Sequence, residues 1–337
     1  MKKSISLLLV LTVILGIFFY LGSGSGEETA EEENLAVTLV VSSAFGDKSL
    51  NDSAREGGEL LKTNPGISVN YIECHRDGIK QKLMDAADES DMVIAVGWEC
   101  YEISEVAVEY PDVKFIMVDD PAEGIESLPN MMSITYAQNE GAYLAGFIAA
   151  QMSETGILGT LAEEESENVN DYITGFSQGA KHANPDIVIR SLIAADPANP
   201  STAREDGLKL ADQGADVVLN LVTGAPSGVF QAAREREMYV VGIDTDQKIN
   251  NPDYDNVILC SVKKNLGMSI YDAVMEYADE EIWRESEITV SGLKSGHVSL
   301  VYGSDTSVQL VSDEMKAAAD EISQLIEADD IKVKTAR

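Results

Sequence analysis

Side chains able to grip a small polar molecule recur at one kind of place in this 337-residue sequence, just after short β-branched runs. The stretch Phe45-Gly46-Asp47-Lys48-Ser49-Leu50-Asn51 comes after the run at 37–42. Gly97 and Trp98 follow 92–96, and Asp119-Asp120 follows 115–118. Thr223-Gly224-Ala225-Pro226-Ser227-Gly228 comes after 217–220, Asp244-Thr245-Asp246-Gln247 after 240–243, and Lys263 after 258–261. Carboxylates, an amide, an ammonium group and aromatic rings thus collect at the carboxyl ends of predicted strands, where open parallel sheets bind ligands. A single Asp after a strand reads equally as a helix cap or a turn residue. Six such places together point to a site that works by hydrogen bonding and charge.

The elements that must position these groups alternate in type. Further strands are predicted at 69–72, 132–135, 157–161 and 188–193, and helices at 53–62, 79–89, 140–153, 172–183, 202–213 and 229–236. Short apolar strands alternating with helices argue for parallel sheets covered on both faces, and the units suffice for two of them. The helix at 140–153 is rich in Gly and Ala, which permits close approach to a sheet or another helix. It stops at Thr155-Gly156, a C-terminal glycine signal. The last helix, about 312–327, carries Met315, Ala318, Ala319, Ile322, Leu325 and Ile326 on one stripe and packs on a sheet.

Composition narrows the chemistry. Twenty-four Lys and Arg stand against 58 Asp and Glu, a net charge of −34, so the surface repels a nucleic acid. Cys74, Cys100 and Cys260 are too scattered for a disulfide framework or a CxxC site, and His75, His182 and His297 lack ligand-like spacing. No metal or other cofactor is expected. There is no G-x-S-x-G elbow, G-x-G-x-x-G loop or Walker sequence. Asp244 and Asp246, at i and i+2 after a strand, could hold a metal in an enzyme, but turn and ligand roles are the preferred reading.

At the amino end, Lys2 and Lys3 precede an apolar run of 17 residues from Ile5 to Leu21, followed by Gly22-Ser23-Gly24-Ser25-Gly26. At 1.5 Å per residue the run reaches about 25 Å, just short of a usual span. The two lysines favour a cytoplasmic start and export of the rest. No lipoprotein cysteine follows the run, so an uncleaved anchor is preferred, with cleavage and release as the alternative. The acidic segment 22–34 reads as a flexible tether.

On these residues the chain resembles the basic membrane protein family of substrate-binding lipoproteins, purine-nucleoside receptors of ABC importers. The matching stretches are Gly46-Asp47-Lys48-Ser49-Leu50-Asn51, Asn139-Glu140-Gly141-Ala142-Tyr143-Leu144-Ala145-Gly146, Gly175-Phe176 with Gly179-Ala180 and Asn184-Pro185, Gly214-Ala215-Asp216-Val217, Gly242-Ile243-Asp244-Thr245-Asp246-Gln247, and Ser261 with Lys263. They cover about residues 36–303. The resemblance implies an α/β chain with the type I periplasmic-binding-protein fold, two Rossmann-like parallel-sheet lobes joined by a three-strand hinge. The expected division places 1–34 as anchor and tether, 35–137 plus 262–296 as lobe 1, and 138–261 plus 297–337 as lobe 2.

The resemblance further implies transport and not catalysis, with a nucleoside-like ligand in the cleft, an ABC permease as partner, and a monomer at the extracytoplasmic face of the membrane. It assigns Asp47 and Asn51, helped by Asp119, to the edge of a base, and Asp244 and Lys263 to a ribose. A carboxylate can accept from both hydroxyls of a diol, and a lysine can balance its charge. The chain departs from the family at Leu50, where an aromatic usually stacks on the base, and at the 223–228 loop, usually richer in glycine. Phe45, Trp98 or Phe230 could supply a ring instead, or each could pack in the core. A sensor signalling through its anchor and a nucleoside-processing enzyme on the same fold are the competing readings.

Overall fold

The computed structural model describes residues 34–336, the Arg76 side chain excepted. The anchor expected from Ile5 to Leu21 and the tether before Asn34 lie outside the described residues. Among the described residues, no helix is long and apolar enough to cross a membrane.

Short Val- and Ile-rich strands form the centre of each half. The first five are β1 (Leu35–Val41), β2 (Ile67–Glu73), β3 (Met92–Val96), β4 (Lys114–Val118) and β5 (Met131–Tyr136). The next five are β6 (Ile157–Ala162), β7 (Val188–Ile193), β8 (Val217–Leu221), β9 (Tyr239–Asp244) and β10 (Ile258–Lys264). Two later strands, β11 (Ile288–Ser291) and β12 (Val298–Val301), complete the set. One sheet runs β11-β5-β4-β3-β1-β2 and the other β12-β10-β9-β8-β6-β7. Every residue of β3, β5 and β8 is buried, as helices on both faces of a parallel sheet require.

The first sheet is parallel throughout. The second differs from expectation at its edge, where β12 runs antiparallel to β10. The chain passes between the sheets three times: after Tyr136, after Lys264 and between Ser291 and Val298. This is the type I arrangement of two α/β lobes joined by three crossings. The boundary expected at 261/262 falls inside β10, which stays paired with β9 and β12 to Lys263 and Lys264.

The helices are α1 (Leu50–Leu61), α2 (Ile79–Glu89), α3 (Ile103–Glu109), α4 (Gln138–Met152), α5 (Glu167–Ala183), α6 (Pro200–Asp212), α7 (Pro226–Arg236), α8 (Gln247–Asn250), α9 (Leu266–Glu280) and α10 (Asp313–Glu327). Their starts are chemically marked. Ser166 accepts from the Val169 N–H and Ser312 from the Met315 N–H, while Pro200 and Pro226 open α6 and α7. The small residues of α4 meet those of α5 with almost no gap. A Cβ on Gly175 or Gly179 would collide with the backbone carbonyl of Asn139 or Tyr143, and one on Gly146 with that of Phe176. After α10 the chain lies across this pair. Asn139 and Gln178 donate to the Lys334 carbonyl at 3.2 Å each, and Asp171 Oδ1 accepts from Thr335 Oγ1 and the Ala336 N–H, both at 2.6 Å.

Because a side chain at these contacts has only backbone to push against, Gly179→Ala is expected to lower the unfolding free energy by about 1–3 kcal/mol, read by urea or thermal denaturation. Unchanged stability would mean that the helix pair can spread freely.

Candidate functional site

Where the two lobes face each other they enclose a cavity of about 320 Å³. Its walls come from the ends of β1, β3, β4, β6, β8, β9 and β10 and from the first turn of α5. That is the carboxyl edge of both sheets, where a parallel sheet leaves backbone and loops free to meet a ligand.

The floor is ionic. Lys264, the last residue of β10, gives its ammonium to Asp119 Oδ1 and Oδ2 at 2.9 and 2.8 Å and lies 3.5 Å from Asp244 Oδ1. All three side chains are buried. Asp119 directly follows β4 in the first lobe, whereas Asp244 and Lys264 end strands of the second, so the pair with Asp119 joins the lobes. Burial alone would lower the Lys264 pKa, but Asp119 and Asp244 outweigh it and hold the ammonium above the ordinary lysine value. Both aspartates sit in left-handed backbone, at φ 72° and 66°, which Asp tolerates better than most residues.

Asp244 has further partners. Its Oδ1 also accepts from the buried Tyr172 hydroxyl at 3.1 Å, and its Oδ2 accepts from Ser49 Oγ of the other lobe at 3.2 Å. A carboxylate has about four acceptor positions. Oδ2 therefore retains capacity for a donor from a ligand. Burial together with the nearby Asp244 and Asp119 charges pushes the Tyr172 phenol well up, so it remains a donor.

The lobes also meet across the mouth. Thr245 Oγ1 and Asn250 Nδ2 both donate to the Lys48 carbonyl at 2.9 Å, Lys48 Nζ donates to the Asn250 carbonyl at 3.1 Å, and Asn168 Nδ2 reaches the Asp119 carbonyl at 3.3 Å. On the rim, Glu163 accepts from the Thr223 N–H at 3.1 Å and hydroxyl at 2.7 Å. Burial pushes its carboxyl up, and the two Thr223 bonds only partly offset this.

Asp47, Asn51, Trp98, Asp119, Gly224 and Asp244 all line the cavity. Three other candidates do not. Lys263 is replaced by its neighbour Lys264, since successive side chains on a strand point to opposite faces and a one-residue error reverses the side. Phe45 packs edge-on against Tyr71, centroids 5.5 Å apart, beneath the Arg55 guanidinium at 5.2 Å. Phe230 is wholly buried in the second lobe beside Tyr254. Trp98, 45% exposed, is the indole that reaches the cavity wall, while Leu50 offers an aliphatic surface.

Asp47 has a second occupation. Its carboxylate accepts from the backbone N–H groups of Ser49, Asn51 and Asp52 at 2.9–3.1 Å, closing the turn into α1. Asn51 likewise ties its amide to Ser43 Oγ at 2.7 Å and to the Ala44 carbonyl at 3.3 Å. Asp246, considered for a metal with Asp244, caps α8 through the Lys248 N–H and accepts from the Gly303 N–H. Lys264, Tyr172, Ser49, Asn168 and Glu163 were not expected as contacts. Ser49 alone carried a signal, as part of the motif loop.

A family profile described as "ABC transporter substrate-binding protein PnrA-like" matches residues 34–335. Basic membrane protein A1 of Borrelia garinii subsp. bavariensis is 28% identical over 298 residues, 87% of each chain. An ABC transporter solute-binding protein from Aeropyrum pernix K1 superposes with a TM-score of 0.75 at 20% identity, over 90% of this chain and 94% of the other. A transcriptional activator of the comK gene from Bacillus halodurans has the same fold, with a TM-score of 0.73 at 21% identity over 90% and 100% of the two chains.

Lys264→Met leaves two buried carboxylates uncompensated and is expected to cost about 3–5 kcal/mol of stability, whereas Lys263→Met, outside the cluster, costs little. The raised Lys264 pKa means that its stabilisation is complete below the ordinary value of 10.5 and fades as pH climbs through the folded value. Lys264→Met should therefore flatten the alkaline limb of a stability–pH curve, and equal effects at the two lysines would refute the assignment.

Proposed function

The chain belongs to the PnrA-like family of ABC transporter substrate-binding proteins, and from that membership we propose that its cleft takes a purine nucleoside or a related ribose-containing molecule. The observation that carries this reading is Asp244, a buried carboxylate with remaining acceptor capacity, fixed by Lys264, Tyr172 and Ser49. Vicinal sugar hydroxyls are donors suited to such a carboxylate, and charge-assisted bonds of this type are the strong ones. Trp98 supplies a π-face for a base, with Leu50 and Val96 as apolar wall. Asn51 and Asp47 stand where a base edge would be read, each presenting what its ties to the 43–52 loop leave over.

The lining also selects against anions. Lys264 is its sole cation among the described residues, against Asp47, Glu99, Asp119, Glu163, Glu164 and Asp244. A phosphate ester would meet uncompensated repulsion at low dielectric, so a nucleoside fits and a nucleotide does not.

Capture works by hinge closure. A ligand held by Asp244 on one side and Trp98 or Asn51 on the other touches both lobes, and so favours the state in which they meet. The closed form would then dock on an ABC permease at the extracytoplasmic face, as a monomer held by the amino-terminal segment or released after its cleavage. The 35–137 plus 262–296 and 138–261 plus 297–337 divisions serve as the moving lobes, with the second crossing moved to follow Lys264.

Calorimetric titration of the full-length chain with inosine, guanosine, adenosine, ribose and inosine monophosphate tests the reading. At least one nucleoside should bind and the monophosphate should not. Asp244→Asn should weaken nucleoside binding about 10- to 100-fold by removing charge-assisted bonds. Trp98→Ala should weaken it about 5- to 100-fold through lost stacking. Failure of every nucleoside to bind would remove the proposed ligand.

A further inference from the structure

Behind Asp244 lies a second, smaller chamber of about 120 Å³. It shares Asp47, Ser49, Thr223, Gly224, Ile243 and Asp244 with the main cavity, so the two are neighbouring compartments of one cleft. At about 30 Å³ per water, its volume suits a substituent of a few heavy atoms.

The chamber is lined by amides, and their hydrogen bonds differ in one respect. Gln247 is fully committed: Nε2 donates to the Ile243 carbonyl at 3.0 Å and to Thr245 Oγ1 at 3.2 Å, and Oε1 accepts from Asn251 at 2.9 Å. Asn220, on β8, is only 3% exposed. Its Oδ1 accepts from the Val222 N–H at 3.2 Å, which fixes the plane of the amide. Its Nδ2 donors meet no protein acceptor among the described residues. Among the described residues, the side-chain atoms sealed from solvent without a partner are Ser53 Oγ, Ser133 Oγ and Tyr302 Oη, so the Asn220 donor is not sealed away but opens onto the chamber, where water or a ligand can take its hydrogens.

We propose that Asn220 is a ligand-binding residue, its amide donating to a neutral oxygen-bearing group of the ligand seated in this chamber beside Asp244. The inference rests on the reading of the cleft as a sugar- or nucleoside-binding site and adds a specificity contact to it. The partner is an acceptor because Nδ2 only donates. It is neutral because the two carboxylates of Asp244 and Asp47 outweigh the one ammonium of Lys48, which is turned onto the Asn250 carbonyl, in the same small space. A hydroxyl of the sugar or a hydroxymethyl group meets both conditions, and a phosphate or carboxylate meets neither.

The test compares wild type, Asn220→Leu and Asn220→Asp, each as the full-length chain, by titration with inosine, guanosine, adenosine, ribose and myo-inositol. Ligand-free melting temperatures serve as a check on folding. Asn220→Asp keeps the shape and the Val222 bond but replaces the donor by a second carboxylate near Asp244. Whichever probe binds wild type should bind both variants about tenfold more weakly or worse. Equal affinity in a variant that melts like wild type overturns the role of Asn220 and leaves the nucleoside reading intact. Binding of ribose or inositol without any nucleoside, lost in both variants, supports Asn220 while overturning the nucleoside. Binding of no probe overturns both. If the leucine variant fails to fold, the aspartate variant decides alone.

Discussion

One buried cation between two carboxylates organises the molecule. Taking Lys264, Asp119 and Asp244 out of water is expensive for each of them, and only their mutual attraction with added hydrogen bonds makes the arrangement tenable. The cluster is assembled from both lobes, since Asp119 belongs to one sheet and the other two to its partner. Its integrity therefore depends on the lobes being in register. The three charges leave one negative charge in excess at the cleft floor, turned toward a space whose walls add hydroxyl, amide and indole groups and the carboxylates of Asp47, Glu99, Glu163 and Glu164. This imbalance disfavours anions in the cleft.

The rest of the fold supports that alignment. The crossings after Tyr136 and Lys264 are only a residue or so long, which holds the two sheets close together at these points. Asn265, which follows Lys264, donates its N–H to the His297 carbonyl at 2.7 Å and so ties the second crossing to the third. The α4 and α5 backbones touch through glycines, so Asn168 and Tyr172 on α5 are carried on a rigid element and not on a loop. On the opposite side, Gly57 of α1 meets Gly267 of α9 in the same way.

Much of this is legible in the sequence, and what is not has physical causes. The central strands announce themselves because burial on both faces demands continuous β-branched runs, and Met92–Val96 appears with its expected bounds. The edge strands β11 and β12 are four residues each and largely half-exposed or exposed, so neither a run nor an alternation marks them. Helix α9 carries Gly267 near its start, which lowers helix propensity, yet that glycine is there to admit α1. Adjacent Lys263 and Lys264 offer identical chemistry in the sequence, and only the strand's register shows which of them faces the cavity. The Phe45 ring could not be assigned because its competitor for the same loop, Tyr71, lies on a different strand. Tyr172 merely opens a predicted helix in the sequence; its phenol finds its partner only once β9 brings Asp244 within reach.

The segment after α10 has an unexpected reach. Thr335 and Ala336 are hydrogen-bonded to Asp171, and the next residue in the chain, Tyr172, holds the Asp244 carboxylate. A handle or reporter fused at that end is thus separated from the cleft floor by one hydrogen bond, one peptide unit and one phenol. A tag placed there would lie beside the hydrogen bonds that join this segment to Asp171 and Tyr172 to Asp244.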